Sequence, residues 1–100
     1  MADNAVINPI PGGWNIGIGT ENFSNDIKLA FMKLNKANHS EFTPIAQLAT
    51  QVVSGTNYVV LAEQKIYHNP IIKIYVSIVF YAKIDAKELS DIEILSITPL

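Results

Sequence analysis

The spacing of apolar residues changes along the chain and divides it into elements. Trp14, Ile16 and Ile18 alternate with polar or glycine positions, a period of two that predicts a short strand. Between residues 23 and 34 the apolar residues instead recur at steps of three and four, which predicts a helix with one apolar stripe. The stripe consists of Phe23, Ile27, Ala30, Phe31 and Leu34.

The ends of this helix are marked less clearly than its stripe. Thr20 is a suitable N-cap, with Glu21 in the first turn, where a negative charge favours the helix dipole. Ser24 is a second suitable N-cap, so the helix start stays open between the two. We expect the helix to end by Asn38.

Four strand-like runs separated by turn signals follow the helix. The runs cover residues 42–53, 58–67, 71–83 and 92–97. Residues 54–57 and 68–70 are predicted turns, and residues 84–91 are a predicted loop. Pro44 has no N–H to donate, so it marks an edge, a bulge or the start of the first run. In the third run, one face should carry Ile72, Ile74, Val76, Ile78 and Phe80.

The short links between these strands predict how they pair. Parallel strands need long crossovers, so consecutive strands joined by turns should be antiparallel. Their apolar face needs a cover, and the helix stripe is the only candidate. We therefore predict an α+β fold in which an antiparallel β-sheet wraps around one α-helix. The length fits a single domain, residues 1–100, of which residues 1–13 form a flexible N-terminal arm rich in proline and glycine.

Composition narrows the function classes. Hydrophobic residues make up 49% of the chain and charged residues 16%, which argues against intrinsic disorder. The net charge is -2 and the seven basic residues form no patch, so we expect no nucleic-acid partner. Cysteine is absent, which excludes disulfides and a catalytic thiol in this chain. His39 and His68 lie far apart in sequence, so we expect no metal site and no cofactor.

Targeting signals are not visible in the sequence. Residues 1–10 lack the basic start and apolar run of a secretory signal. The longest apolar stretch, residues 71–82, is interrupted by Lys73 and Ser77 and is too short to span a bilayer. We expect a cytoplasmic protein without membrane contact. A signal removed by processing would leave no trace, so the sequence leaves secretion open.

One turn resembles a known signature. Residues 51–55 read Gln-Val-Val-Ser-Gly, similar to the Gln-Val-Val-Ala-Gly signature of the cystatin superfamily of cysteine protease inhibitors. Pro11, Gly12 and Gly13 are similar to the glycine-bearing arm of the stefin branch, whose members lack cysteines and signal peptides. The order of arm, helix, strand, signature turn and further strands also resembles that family over nearly the whole chain.

This resemblance implies a cystatin-like fold and a function. The chain would be a reversible, tight-binding inhibitor of papain-like cysteine proteases such as cathepsins and papain, and not an enzyme. The arm would lie in the substrate groove, residues 51–55 would cover the catalytic cysteine, and the loop between the last two strands would contact the far side of the cleft. The implied contact residues are Pro11, Gly12, Gly13, Gln51, Val52, Val53, Ser54, Gly55, Asp85, Ala86, Lys87, Glu88 and Leu89.

The residues themselves favour a binding role at the signature turn. Val52 and Val53 stand where soluble proteins usually place polar residues, and burial in a partner would stabilise each by about 1.5 kcal/mol or more. Gly55 allows a positive φ and close approach of another backbone. Gln51 can hydrogen-bond across or along the hairpin. Trp14 is expected to be a packing residue rather than a partner contact.

The last loop departs from the family pattern. Cystatins usually carry Pro-Trp there, or Pro-Gly in many stefins, and residues 83–91 contain neither. Ile84 or Leu89 are candidates for an apolar contact. The charged residues Asp85, Glu88, Asp91 and Glu93 are interpreted as a solvated cluster.

Other interpretations of the chain stay open. Residues 51–55 can be an ordinary hairpin turn, and the domain can be a non-inhibitory binding module with another target. An enzyme on the same fold is the weakest alternative, because the predicted inward faces contain no acid, base or nucleophile. The active form is expected to be a monomer. Cystatins can also exchange their helix and first strands by opening the signature hairpin, which implies a possible domain-swapped dimer.

Overall fold

One helix and five antiparallel strands form the part of the chain that the computed structural model describes, residues 13–37 and 40–100. The elements are β1 (Trp14–Gly19), α1 (Asn25–Ala37), β2 (Ser40–Val53), β3 (Gly55–Ile66), β4 (Ile72–Ala82) and β5 (Ile92–Pro99). A short 3₁₀ turn, Leu89–Asp91, precedes β5. The strands lie in chain order in one sheet. The prediction of an α+β fold with one helix and an antiparallel sheet is confirmed. Most of the predicted arm, residues 1–12, lies outside the described residues.

The helix starts where a serine caps it. The Ser24 hydroxyl accepts a hydrogen bond from the Ile27 N–H at 3.3 Å, and its carbonyl accepts one from the Lys28 N–H at 3.1 Å. Ser24 is therefore the N-cap, and Thr20 is the wrong one of the two candidates because the helix begins only at Asn25. The predicted stripe residues Ile27, Ala30, Phe31 and Leu34 are buried on the helix, together with Leu29, which was not predicted. Phe23, predicted as the first of the stripe, precedes the helix and is partly buried against the core.

The core lies between this stripe and one face of the sheet. Val60, Val76, Ile78 and Phe80 are fully buried there. Ile72, predicted to share their face, is exposed at the start of β4. Its strand partner is Ile66, the last residue of β3, so it lies at the end of the β3–β4 ladder, away from the buried middle of β4.

The helix is also tied to the sheet by polar side chains. The Asn35 amide oxygen accepts a hydrogen bond from the Phe42 N–H at 2.6 Å, and its amide nitrogen donates to the Phe42 carbonyl at 3.1 Å. The Lys33 ammonium donates to the carbonyl of Ile92. These bonds fix the helix against the first and last long strands of the sheet.

Strand β2 is irregular at the predicted position. Its register against β3 shifts between Pro44 and Ala46, so the proline marks a bulge. A second shift lies between Gln47 and Ala49. No helix in the described part of the chain is long and apolar enough to cross a membrane.

Candidate functional site

Three segments meet at one end of the sheet. Trp14 at the start of β1 pairs with Gln51 near the end of β2. Thr56 at the start of β3 pairs with Ala82 at the end of β4, and Ala82 pairs with Ile92 at the start of β5. The start of β1, the β2–β3 turn and the β4–β5 loop therefore lie side by side. We call this the loop end: residues 13–14, 51–55 and 83–91.

The β2–β3 turn is tighter than the sequence suggested. Val53 pairs with Gly55, so Ser54 alone separates the strands, and the predicted turn at residues 54–57 is wrong in its length. Gly55 makes this possible with a φ of 108°. A Cβ on Gly55 would lie 2.5 Å from the carbonyl oxygen of Ala82 and 2.5 Å from the hydroxyl of Tyr81. The turn therefore requires glycine for both its backbone angle and its close neighbours.

Two side chains hold the turn in place. The Tyr81 hydroxyl donates a hydrogen bond to the carbonyl of Ser54. The Asn57 amide donates to the amide oxygen of Gln51 at 2.9 Å, so Gln51 does bond across the hairpin as predicted. Sequence reasoning missed the role of Tyr81. Its position over the turn depends on the β3–β4 register, which pairs it with Asn57 and which no local motif reveals.

Two apolar side chains remain exposed on this fixed turn. Val52 is 57% exposed and Val53 is 43% exposed. The bonds from Tyr81 and Asn57 hold the backbone of the turn that carries both valines. A partner that covered them would gain about 1.5 kcal/mol or more from each.

The start of β1 extends this apolar surface. Trp14 is nearly half exposed, which differs from the expectation that it is a packing residue. It lies in the same cross-strand row as Gln51, which places it beside the turn. Gly13 is the first described residue. Pro11 and Gly12, the other predicted arm contacts, lie outside the described part of the chain.

The β4–β5 loop is held by an aspartate. The Asp91 carboxylate accepts hydrogen bonds from the backbone N–H groups of Lys87 and Glu88, at 3.0 and 3.1 Å. These two bonds lower the pKa of the Asp91 carboxyl. The Lys83 N–H donates to the Asp91 carbonyl at 3.0 Å and closes the loop. Asp91 therefore organises the loop and is more than a member of a solvated cluster.

Some predicted contact residues of the β4–β5 loop are exposed to solvent, and others are buried. Ala86 is 7% exposed and belongs to the core, which corrects its placement on the contact surface. Leu89 packs against the same core. Ile84 is 68% exposed, next to Asp85, whose φ is 56°. Of the two apolar candidates in this loop, Ile84 is the one that faces solvent.

A buried tyrosine connects the hairpin to the helix. Tyr58 stacks on Phe80 with ring centroids 4.8 Å apart, and its hydroxyl donates to the Asp26 carboxylate at 2.6 Å. Burial, helped by the bond to Asp26, raises the pKa of Tyr58 to about 12. Strand β3 is thereby fixed to the first turn of the helix three residues after Gly55.

The loop end is thus a surface of exposed apolar side chains on backbone segments that hydrogen bonds hold in place. Among residues 13–37 and 40–100, no polar or charged residue is buried, and no three His, Asp or Glu side chains are grouped to hold a metal ion. Comparisons with protein-family models, curated proteins and solved structures give no match.

Proposed function

We propose that this chain is a reversible inhibitor of papain-like cysteine proteases, with a cystatin-like fold of the stefin type. The observation that carries the proposal is the exposure of Val52 and Val53 on a turn that Gly55 and Tyr81 hold in one shape. Residues 51–55 resemble the cystatin signature, with Ser54 in place of its alanine, and the neighbouring segments lie beside them at the loop end.

The turn would cover the catalytic cysteine of the protease without being cut. A substrate must extend through the cleft, whereas Val53 and Gly55 are paired in a ladder that keeps the chain reversed. Because the turn is already ordered, binding loses little conformational entropy there. Inhibition would be steric and would require no catalytic residue on this chain.

The two flanking segments would complete the contact. Residues before Gly12 would enter the substrate groove, with Trp14 continuing the surface beside Gln51. On the other side, Ile84 would supply the apolar contact that a proline-containing loop makes in cystatins. Its loop is ordered by Asp91, so this contact would also be present before binding.

The same proposal describes the state of the active protein. It would act as a cytoplasmic monomer with a single domain. Exchange of the helix and first strands between two copies would straighten residues 51–55 and remove the reversed turn that the protease cleft accepts.

Titration of papain or a cathepsin with the purified chain tests the proposal. We expect peptidase activity to fall to near zero at about one equivalent of inhibitor when both proteins are well above the dissociation constant. Activity should return on dilution, and mass spectrometry should find the inhibitor uncleaved. Full peptidase activity at micromolar inhibitor would overturn the proposal, and cleavage at residues 51–55 would show a substrate instead.

Deletion of residues 1–12 tests the arm. We expect faster dissociation from the protease with little change in the association rate, because affinity differences between related complexes are mostly differences in dissociation. An unchanged dissociation rate would show that the arm makes no contact.

The alternative is a binding module with another target. The inward placement of Ala86 and Leu89 favours it, because these residues leave the β4–β5 loop with little apolar surface besides Ile84. A folded chain that inhibits none of several papain-like proteases would support this alternative.

A further inference from the structure

Strand β1 is the outermost strand of the described sheet and lacks the usual protection of an edge. Residues 14–19 contain no charged residue and no proline, and Trp14, Ile16 and Ile18 are exposed. Edge strands of monomeric proteins are normally blunted by charges or proline, because their unpaired backbone groups attract other strands. The opposite edge, β5, carries Glu93 and Pro99.

The first half of β1 has the regular geometry that another strand needs. Trp14, Asn15 and Ile16 pair in unbroken register with β2, and a bulge follows between Ile16 and Gly19. Trp14 and Ile16 lie on the same face, since side chains alternate along a strand. The bulge bends the rest of the strand and would end any further pairing after Ile16.

We propose that β1 pairs antiparallel with β1 of a second copy of this chain, about a two-fold axis at Asn15. In this register Trp14 lies opposite Ile16 of the second copy, and Ile16 lies opposite its Trp14. Aromatic and β-branched residues are favourable cross-strand neighbours, and the strand has no charge that would meet a like charge. The contact uses the same surface on both copies, as a closed dimer requires.

The size of this surface predicts a weak dimer. Stable interfaces bury at least about 1,000 Å² in total. The exposed parts of Trp14 and Ile16 and a short backbone edge on each copy fall below that range, so the dimer should be weak and form only at high concentration. The antiparallel arrangement joins two sheets into one and points the two loop ends in opposite directions. The inference does not rest on the proposed function, but both use Trp14, so a second copy and a protease would compete for this side chain.

Cysteine cross-linking tests the axis, because the natural chain contains no cysteine. Asn15→Cys places two sulfur-bearing side chains directly opposite each other, with Cβ atoms about 5 Å apart, near the span of a disulfide. Met32→Cys is the matched control on the exposed face of the helix. We expect Asn15→Cys to form a disulfide-linked dimer at least about tenfold faster than the control. Equal rates would overturn the proposal.

Charge exchange tests the register. Trp14→Lys and Ile16→Glu should each raise the dimer dissociation constant by at least about tenfold in sedimentation experiments. The double variant Trp14→Lys with Ile16→Glu places a lysine opposite a glutamate twice and should dimerise better than either single variant. Failure of this rescue in a folded double variant would contradict the register.

Sedimentation of the natural chain covers the remaining outcomes. We expect a dimer to appear as the concentration rises toward the order of 1 mM. A chain that stays monomeric at this concentration would overturn the proposal. Evidence that residues 1–12, or a strand of another protein, cover β1 would overturn it as well.

Discussion

The two long hairpins of the sheet turn at opposite ends and are built differently. The β2–β3 hairpin reverses at Ser54 alone, on a glycine with positive φ. The β3–β4 hairpin needs the five residues 67–71, and it exposes Tyr67 and Ile71. Both ends therefore expose apolar side chains, and exposure alone does not identify a binding surface.

The two ends differ in the hydrogen bonds that hold the backbone beneath their exposed side chains. At the loop end, the turn is held by the Tyr81 bond to Ser54 and by the Asn57–Gln51 bond, in one cross-strand row. At the other end, the Tyr67 bond joins two exposed side chains, those of Tyr67 and Glu41, whereas Tyr81 is half-buried and bonds a backbone carbonyl. Apolar groups on a fixed frame lose less entropy when they bind, so the loop end is the better candidate.

Substitution of the turn glycine should have the largest effect. Gly55→Ala forces a Cβ against the Ala82 carbonyl at an unfavourable φ, so we expect a loss of about 1–3 kcal/mol in the free energy of unfolding, together with loss of protease inhibition. Gly19→Ala is the control, because a Cβ there meets nothing within 4 Å. Urea denaturation measures both variants, and equal effects at the two glycines would contradict the account of the turn.

A charge on the exposed turn should separate binding from folding. Val53→Asp removes about 1.5 kcal/mol of apolar burial in the complex, so we expect inhibition to weaken by at least about tenfold while the fold is kept. Ile71→Asp places the same charge on the exposed end of the other hairpin. Inhibition constants for papain should change for the first variant alone. A similar loss for both would mean that the two ends do not differ.

Loss of the tyrosine hydroxyl should have a smaller effect. Tyr81→Phe removes the donor to the Ser54 carbonyl, and we expect a loss of about 1 kcal/mol in stability and faster dissociation from the protease. Tyr67→Phe removes a bond between two exposed side chains, neither of which holds a turn backbone, and should change little. Unfolding curves and dissociation rates of the two variants provide the comparison. A Tyr81→Phe chain that matches the natural protein would show that the hydroxyl does not hold the turn.

Acid should loosen the β4–β5 loop, with the smallest effect on the whole protein. The folded pKa of Asp91 is lowered by its backbone hydrogen bonds, so its contribution to stability is present above the unfolded value of about 4 and is lost as pH falls through the folded pKa. Asp91→Asn should remove this part of the acid sensitivity, whereas Glu41→Gln near the other hairpin should keep it. Stability measured from neutral to acid pH checks this. Identical profiles for Asp91→Asn and the natural chain would contradict the role given to Asp91.

The features that sequence predicted were those with a local signal. The helix and strands follow from periodicity, and the missing N–H of Pro44 predicted an edge, a strand start or a bulge, of which the register shows the bulge. The positive φ of Gly55 was predictable because glycine tolerates it. The helix start was only half determined, since Thr20 and Ser24 have similar capping chemistry and packing decides between them.

The features that sequence missed depend on contacts between distant strands. Tyr81 reaches Ser54 only because of the β3–β4 register. Ala86 is buried in the core. The Asp91 carboxylate holds the charged loop by accepting hydrogen bonds from its backbone. These roles arise from tertiary packing, which a single sequence does not encode in any short pattern.

Hydrogen exchange in the complex with papain tests the central claim most directly, because it shows which end of the sheet is covered. We predict slower amide exchange at residues 14–16, 52–56 and 84–86 when the protease is bound, with residues 67–71 unchanged. Protection confined to residues 67–71, or no protection at the loop end under conditions of full complex formation, would contradict the account.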